Sequence, residues 1–289
     1  MTKNTFQFAW FAPADEIDDQ TFSPLPLAQA AWKDDQIHGV AISGLIARAI
    51  EHRVEAVGRS ELIPSRYQLD MFRPARMRPV TTRVDVVRDG PRLLLLDAVV
   101  EQDGEIVARA SATCLKPTAA PGGSVWTPEA DDRPTMPPAD LLPPLGEQHV
   151  PFFASDHAWS DDFGDHQNSG RHQTWQTAVP IVLGEPCTPF QTVASVADAT
   201  SMVTNWGDAG VEYINTDVGV ALSRLPSGVR VGLRATDHVS TDGVAVGVAE
   251  VFDEQGVIGV ATVTALANAK RTVDFTDTKW AETTSSPGV

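Results

Sequence analysis

The sequence has few features that would direct it to a membrane, a metal or a disulfide scaffold. Only two cysteines, Cys114 and Cys187, occur among 289 residues, and they lie far apart without the spacing of a metal or redox motif. We interpret them as buried reduced thiols of a cytoplasmic protein. No apolar run is long enough to span a bilayer, so no membrane insertion is expected. The N-terminal residues lack the basic start and apolar core of a secretory signal.

Positive charge is also scarce. Lysine and arginine number 22 against 38 aspartates and glutamates, which gives a net charge of −16 and argues against nucleic acid as a partner. The arginines are nevertheless concentrated between residues 59 and 92. They could hold the phosphates of a ligand, or they could keep the outer face of strands soluble. They are Arg59, Arg66, Arg73, Arg76, Arg78, Arg83, Arg88 and Arg92.

A helix followed by a run of predicted strands occurs twice in the chain. The helices are predicted at 38–55 and 188–206 from apolar residues at helical spacing. The strands after the first helix are predicted at 66–71, 80–88, 93–101 and 106–115. Those after the second are predicted at 211–222, 229–236, 244–252 and 258–266. Shorter extended segments are predicted at 6–11, 22–32, 157–163 and 172–182.

The repeated order of elements predicts a duplicated α+β protein. A shift of 152 residues places Gly104 on Gly256 and Ile106 on Ile258. Each half is expected to be an antiparallel sheet wrapped around one long helix. The predicted boundaries are 1–117 for the N-terminal domain, 118–148 for a proline-rich linker, 149–275 for the C-terminal domain with the candidate site, and 276–289 for a tail.

A single carboxylate interrupts the second predicted helix. Thr188 and Gln191 form a capping box, and small and apolar residues cover almost the whole circumference, so this helix is predicted to be buried. Between Glu185 and Asp208 the only charged residue is Asp198. A buried carboxylate is costly unless it is hydrogen-bonded, paired or used, so Asp198 is a candidate catalytic residue. The alternative is that Asp198 lies on the one solvated face of its helix.

The order of these segments resembles the double-hotdog acyl-CoA thioesterases, and in particular the type II bacterial branch with its actinobacterial thioesterase-like relatives. The resemblance is carried by HGVAISGLIARAIE from His38, YQLDMFRPAR from Tyr67, VVRDGPRLLLLDAVVEQDGEIVARASA from Val86, SVADATSMVTNW from Ser195 and INTDVGVALSRLP from Ile214. It covers nearly the whole chain. It implies two tandem hotdog domains, a double hotdog, that hydrolyse an acyl-CoA.

The resemblance also implies catalytic residues. In that family an aspartate on the second helix activates a water, together with a threonine or asparagine on the next strand and a glutamine near the last strand. Asp198 matches the aspartate, and Asn215 falls at the second position with Thr216 beside it. The glutamine is absent, because its position falls on Val263 or Thr264. A hydroxyl of Thr264 could replace part of its role.

Four residues are candidates for substrate binding, and Arg73 among them comes from the arginine-rich segment that could hold nucleotide phosphates. They are His38, Gly39, Thr216 and Arg73. His38 could donate to a substrate carbonyl or cap its own helix. The segment His38-Gly39-Val40 departs from the usual HGG of the family.

Three functions remain open at this point. The first is hydrolysis of an acyl-CoA or related acyl thioester by a water on Asp198. The second is a non-catalytic acyl-CoA or fatty-acyl-binding protein, which the missing glutamine suggests. The third is a hydratase, whose Asp-x-x-x-x-His pair is not found, since Val203 stands five residues after Asp198. The sequence indicates neither the acyl chain length nor the carrier.

No cofactor or metal is expected. The acids and histidines between residues 156 and 172 match no zinc or calcium spacing and are interpreted as a solvated acidic loop. A homodimer or higher homo-oligomer is consistent with the fold, since hotdog sheets pair edge to edge.

Overall fold

The structure is a computed structural model that describes residues 8–14, 19–30, 33, 35–128, 133–145, 147, 149–268 and 272–276. Within these ranges, a sheet of 13 strands carries the helices of both halves. No helix in the described part of the chain is both long and apolar enough to cross a membrane. The predicted tail lies outside the described residues from position 277 onward.

The first half begins with short strands and continues with a helix and four long strands. Its elements are β1 (Phe11–Pro13), β2 (Thr21–Pro24), α1 (Gly39–Ala56), β3 (Ile63–Met71), β4 (Val80–Asp89), β5 (Leu93–Gln102) and β6 (Glu105–Leu115). The second half contains β7 (Phe152–Ala154), β8 (Gln173–Thr177), α2 (Pro189–Val196), α3 (Thr200–Asn205), β9 (Trp206–Gly207), β10 (Gly210–Val211), β11 (Tyr213–Asn215), β12 (Asp217–Leu222), β13 (Arg230–Thr241), β14 (Val244–Asp253) and β15 (Gly256–Ala267).

The strand order makes the duplication visible. Across the sheet the strands run β1-β2-β4-β5-β6-β3-β12-β15-β14-β13-β8-β7, and β11 pairs with β15 beside β12. Read from its outer edge inward, each half therefore has the same sequence of equivalent strands. The halves join where β3 pairs antiparallel with β12, with Leu69 opposite Val218. This arrangement confirms the predicted α+β architecture of two antiparallel halves, each with helices against its strands, and joins the halves in one sheet.

Polar contacts fix the helices of the two halves against each other. Arg48 of α1 donates two hydrogen bonds, of 2.6 and 2.7 Å, to the Glu185 carboxylate ahead of α2. Glu51 of α1 accepts from Thr188 Oγ1 at 2.7 Å and from Gln191 Nε2 at 2.8 Å. Burial raises the pKa of Glu51, although both donors oppose that shift. Because a bidentate arginine pair specifies geometry, α1 has a defined position beside the second helix.

The observed elements depart from prediction mainly in the second half. A short strand lies at Phe152–Ala154 and not at 157–163. The strand predicted at 172–182 ends at Thr177. Pro180 follows this end, and a proline has no N–H to donate to a neighbouring strand. The strand predicted at 211–222 is divided into β10, β11 and β12. In the first half, the segments predicted at 6–11 and 22–32 contain strands only at Phe11–Pro13 and Thr21–Pro24, and a 3-10 turn follows at Pro26–Ala28. Residues 6, 7, 31 and 32 of these segments lie outside the described residues.

Candidate active site

Asp198 lies where the second predicted helix is interrupted. A single 3-10 turn, Ala197–Ala199, connects α2 to α3 and contains Asp198 at its centre. The residue is 9% exposed, so it is buried and not on a solvated helix face. A tight turn inside a helix often marks a functional position. The carboxylate therefore needs polar partners in its surroundings.

The first partner of Asp198 comes from the strand that follows the helix. Asn215, the last residue of β11, donates a hydrogen bond of 2.9 Å from Nδ2 to Asp198 Oδ1. β11 pairs with β15 so that Asn215 lies opposite the buried Ala265, on the face of the sheet that the helices cover. An amide is neutral, so this contact fixes the carboxylate without neutralising its charge. The structure thus brings together the two residues that the sequence placed 17 positions apart.

The second side of the carboxylate faces the start of α1 in the other half of the chain. A Cβ atom on Gly39 would lie 2.7 Å from Asp198 Oδ2 and 3.0 Å from its Cγ. Any side chain at this position would therefore displace the carboxylate. The first N–H groups of a helix have no partner within the helix and carry partial positive charge, which favours an anion at this place.

His38 caps α1 beside this contact. Its Nδ1 accepts a hydrogen bond of 3.1 Å from the backbone N–H of Val40 and lies 3.8 Å from Asp198 Oδ2. Since Nδ1 is an acceptor, we assign the proton of the neutral ring to Nε2. Burial lowers the pKa of His38, and the negative charge of Asp198 opposes that shift. His38 thus performs the capping role, which was one of the two predicted for it.

Thr264 does not join this group. A Cβ atom on Gly247 would meet the side chain of Thr204 in α3, so Gly247 faces the helices. Its partner across the ladder is Val263, which is 1% exposed and therefore lies on the same inner face. Alternation places Thr264 on the outer face, away from Asp198. Val263 therefore occupies the inner position at which the family has its glutamine. The prediction that the Thr264 hydroxyl replaces the glutamine amide is wrong, because Thr264 faces the other side of the sheet.

Two further predicted residues, Thr216 and Arg73, lie on the exposed surface. Thr216 donates from Oγ1 to the Thr264 carbonyl at 3.1 Å. Arg73 follows β3, is half exposed and pairs with Glu105. Within the described residues, neither side chain forms a hydrogen bond or ion pair with the Asp198 carboxylate.

Most arginines of the basic segment are engaged by acids on the outer face. Five of the eight form ion pairs with aspartate or glutamate side chains, so these charges are already paired within the chain, although only Arg83 of the five lies in a strand. The pairs join Arg59 to Glu61 and Asp89, Arg73 to Glu105, Arg76 to Asp35, Arg78 to Asp103, and Arg83 to Asp85 and Glu101.

The stretch of acids and histidines between residues 156 and 172 separates into an exposed and a buried part. Its aspartates are exposed, as the solvated-loop interpretation predicts. His166 is buried, with Ser155 Oγ 3.1 Å from Nδ1 and Ser160 Oγ 2.9 Å from Nε2. His172 Nε2 lies 2.6 Å from the His166 carbonyl. Within the described ranges, no group of three or more His, Cys, Asp or Glu residues could hold a metal.

We expect the protein to lose stability in mild acid because of three buried histidines, His38, His166 and His172. Burial lowers the pKa of each below 6.5, so the unfolded chain binds protons at a pH where the folded protein does not. The contribution of these histidines to the free energy of unfolding is therefore fully present above pH 6.5. Below that pH it falls by about 1.4 kcal/mol per pH unit for each histidine, until the folded pKa of that histidine is reached. Urea midpoints at about pH 7.5 and about pH 5.5 measure the effect. The variant His166→Gln should weaken the pH dependence, and equal midpoints for the unaltered protein would contradict it.

Comparison with known proteins finds a family match for each half of the chain. A family model described as the acyl-CoA thioesterase N-terminal domain matches residues 28–115, and one described as the acyl-CoA thioesterase C-terminal domain matches residues 128–267. No curated protein matches the chain at a significant level.

Solved structures with the same fold cover most of the chain. The tesB protein of Mycobacterium avium subspecies paratuberculosis is 16% identical with a TM-score of 0.61, over 88% of this chain and 94% of that one. An acyl-CoA thioesterase II from Mycobacterium marinum is 15% identical with a TM-score of 0.54, over 88% and 94%. A hot dog fold protein from Alicyclobacillus acidocaldarius is 14% identical with a TM-score of 0.56, over 87% and 94%. At such identities these likenesses show the fold alone.

Proposed function

Because the chain belongs to the acyl-CoA thioesterase family with two hotdog domains, we propose that it hydrolyses an acyl thioester with a water molecule bound by Asp198 and Asn215. The observation that carries the proposal is the hydrogen bond of 2.9 Å from Asn215 Nδ2 to Asp198 Oδ1, in a buried site beside the start of α1. One carboxylate oxygen is held by the amide. The other lies next to Gly39 and faces a helix terminus that attracts negative charge.

Asp198 acts as the general base in this proposal. It accepts a proton from the water as the water oxygen attacks the thioester carbonyl carbon. Negative charge develops on the carbonyl oxygen, and we place its stabilisation at the start of α1 beside Asp198, where the first N–H groups of the helix have no partner within it. Collapse of the tetrahedral intermediate breaks the C–S bond. The proton held by Asp198 passes to the leaving thiolate, so the products are a carboxylic acid and a thiol.

Asn215 orients the base and the water without removing the base's charge. A lysine or arginine at this position would pair with Asp198 and make it a weaker proton acceptor, because a positive neighbour favours the ionised carboxylate. An amide avoids that cost. Its remaining hydrogen-bonding capacity is available to the attacking water.

We propose an acyl-CoA as the substrate, a cytoplasmic location, a role in lipid metabolism and a homo-oligomeric assembly. The substrate follows from family membership. The location is supported by the cysteines, which are both free. Burial raises the pKa of Cys114 to about 12 and that of Cys187 to about 11, so both thiols stay protonated and unreactive at neutral pH.

A second function is favoured by one observation. Val263 lies on the inner face of β15, at the place where the resemblance leaves the family's glutamine missing, and its side chain offers no hydrogen bond. Loss of one polarising group typically lowers a rate about 10²–10³-fold. A protein that binds acyl-CoA or a fatty acyl group without hydrolysing it is therefore the alternative.

An acyl-CoA panel of graded chain length separates the two functions. The purified protein is incubated with each acyl-CoA, and free thiol release is followed beside acyl-CoA binding. Thiol release that depends on Asp198 supports hydrolysis and gives the chain-length preference. Tight binding without thiol release at any chain length would establish the alternative.

Gly39→Ala is expected to lower kcat about 10- to 100-fold. The added methyl group would lie 2.7 Å from Asp198 Oδ2, so the carboxylate must move away from α1. Alanine favours helix formation over glycine, so stability should not fall in parallel. Turnover and thermal unfolding of the same preparation measure both effects. Gly122→Ala, at a linker glycine with open space around it, is the matched control. Equal turnover of Gly39→Ala and the unaltered protein would remove this contact from the mechanism.

A further inference from the structure

The strand that presents Asn215 contains a β-bulge. β11 and β12 both pair with β15, and Asn215 lies opposite Ala265 while Gly219 lies opposite Thr262. Asn215 and Gly219 are four positions apart, but their partners on β15, Ala265 and Thr262, are only three positions apart. One extra residue is therefore inserted between β11 and β12. Bulges of this kind occur beside active sites, where they change the direction of a side chain.

The bulge decides which residue faces Asp198. In β12, Val218 and Val220 point to the helices and are 0% and 4% exposed. If side chains alternated regularly along this strand, counting back from the inward-facing Val218 would place Thr216 on the inner face and Asn215 on the outer face. In the structure Thr216 is exposed and Asn215 bonds to Asp198. The extra residue thus exchanges the faces of these two neighbours.

The side chain of Asp217 fills the gap that the bulge makes in the ladder. The backbone N–H of Thr264, which would donate to a main-chain carbonyl in a regular ladder, donates instead to Asp217 Oδ1 at 2.6 Å. The other oxygen of Asp217 accepts from Gln68 Nε2 of β3 at 3.1 Å, across the junction between the two halves. The Thr264 carbonyl accepts from the Thr216 N–H at 2.9 Å. The carboxylate therefore replaces the missing backbone acceptor and connects three strands.

We infer that Asp217 is a positioning residue, which holds the β11–β12 bulge in the register that directs the Asn215 amide to Asp198. The inference rests on the proposed hydrolysis, because it assigns Asp217 an effect on turnover through Asn215. Asp217 itself has no contact with the reacting atoms in this arrangement. Without its carboxylate, the Thr264 N–H loses its partner, and a regular ladder that turns Asn215 outward becomes the competing arrangement.

Kinetics of single and double variants test the inference. Asp217→Ala should lower kcat about 10- to 100-fold with a smaller change in KM, since a displaced orienting group affects the reacting geometry more than binding. Asp217→Asn keeps an acceptor oxygen for the Thr264 N–H and should retain most of the turnover. In an Asn215→Ala background, Asp217→Ala should cost little more, because the group that it positions is already absent. An equal cost in both backgrounds would overturn the inference.

A second measurement keeps the inference separate from the proposed hydrolysis. The side-chain amide NMR signals of Asn215, assigned by their loss in Asn215→Ala, should shift in Asp217→Ala and remain in place in Asp217→Asn. If the unaltered protein releases no thiol, the hydrolysis proposal fails, and these signals still decide the positioning role. Unmoved signals in Asp217→Ala would overturn it. If Asp217→Ala does not fold, Gln68→Ala is used instead, because it removes one hydrogen-bond donor to the Asp217 carboxylate. This variant should shift the Asn215 signals by a smaller amount. Unmoved signals in Gln68→Ala would also contradict the inference.

Discussion

Replacing Asp198 with asparagine is expected to lower kcat about 10²–10⁴-fold, the usual contribution of a general base. The amide has the same shape as the carboxylate and can still accept from Asn215 Nδ2, which lies 2.9 Å from Oδ1. It cannot take a proton from water at neutral pH. Because the groups that would bind the substrate are unchanged, KM should stay near its original value. Free thiol release from an acyl-CoA that the unaltered protein hydrolyses measures both constants.

The stability of the Asp198→Asn variant separates catalysis from structure. Asp198 is 9% exposed, so the folded protein bears the desolvation of a carboxylate that asparagine would not carry. The variant should therefore be as stable as the unaltered protein or more so, as is common for residues kept for activity. Asp97→Asn, on the exposed outer side of β5, is the matched control and should retain full turnover. Full turnover in Asp198→Asn would remove the mechanism, and a clear loss of stability would indicate a structural carboxylate.

The elements that depend on local chemistry were predicted well from the sequence. The apolar run from Leu93, the small and branched residues from Ile106 and the Asp103-Gly104 turn gave β5 and β6 to within one residue at each end. Both turn residues have positive φ, 53° and 79°, which is the conformation that two-residue hairpin turns require and that this dipeptide favours. Such signals act over a few neighbouring residues, so they survive in any tertiary context.

The features that depend on pairing between distant segments could not be predicted in this way. The choice between Val263 and Thr264 depends on the register of β15, and the choice between Asn215 and Thr216 depends on a bulge that the Asp217 carboxylate holds. A shift of one residue in either place reverses the inner and outer faces. The spacing of residues along a strand does not indicate such a shift.

Asp198 itself was identified because a lone carboxylate in an apolar helix is a local anomaly. Its contact with Gly39, 159 positions earlier, has no local signal, and Gly39 had been predicted only as a substrate-binding residue. Several ion pairs of the basic segment are also tertiary, since Arg73 meets Glu105 from a neighbouring strand. The sequence thus located the candidate base, and the folded chain supplies its environment.

Asn215→Ala is the second variant with a large expected effect, a fall in kcat of about 10²–10³-fold. The change removes the donor to Asp198 Oδ1 and leaves the carboxylate without a fixed orientation towards the water. Asn215→Thr is the matched control, because a hydroxyl can donate from the same strand position and should restore part of the turnover. Thiol release by the three proteins, measured beside their thermal unfolding, gives the comparison.

The size of the Asn215→Ala effect also tests how this site works without the family's glutamine. Val263, on the inner face of β15, gives the water no second amide, so orientation depends on Asn215 alone among the residues assigned to it. Where two groups share a task, removing one leaves the other in place, and the loss is smaller than for a single group. The fall in kcat should therefore lie at the upper end of the range. Turnover that is unchanged in Asn215→Ala would show that Asp198 activates water without this amide.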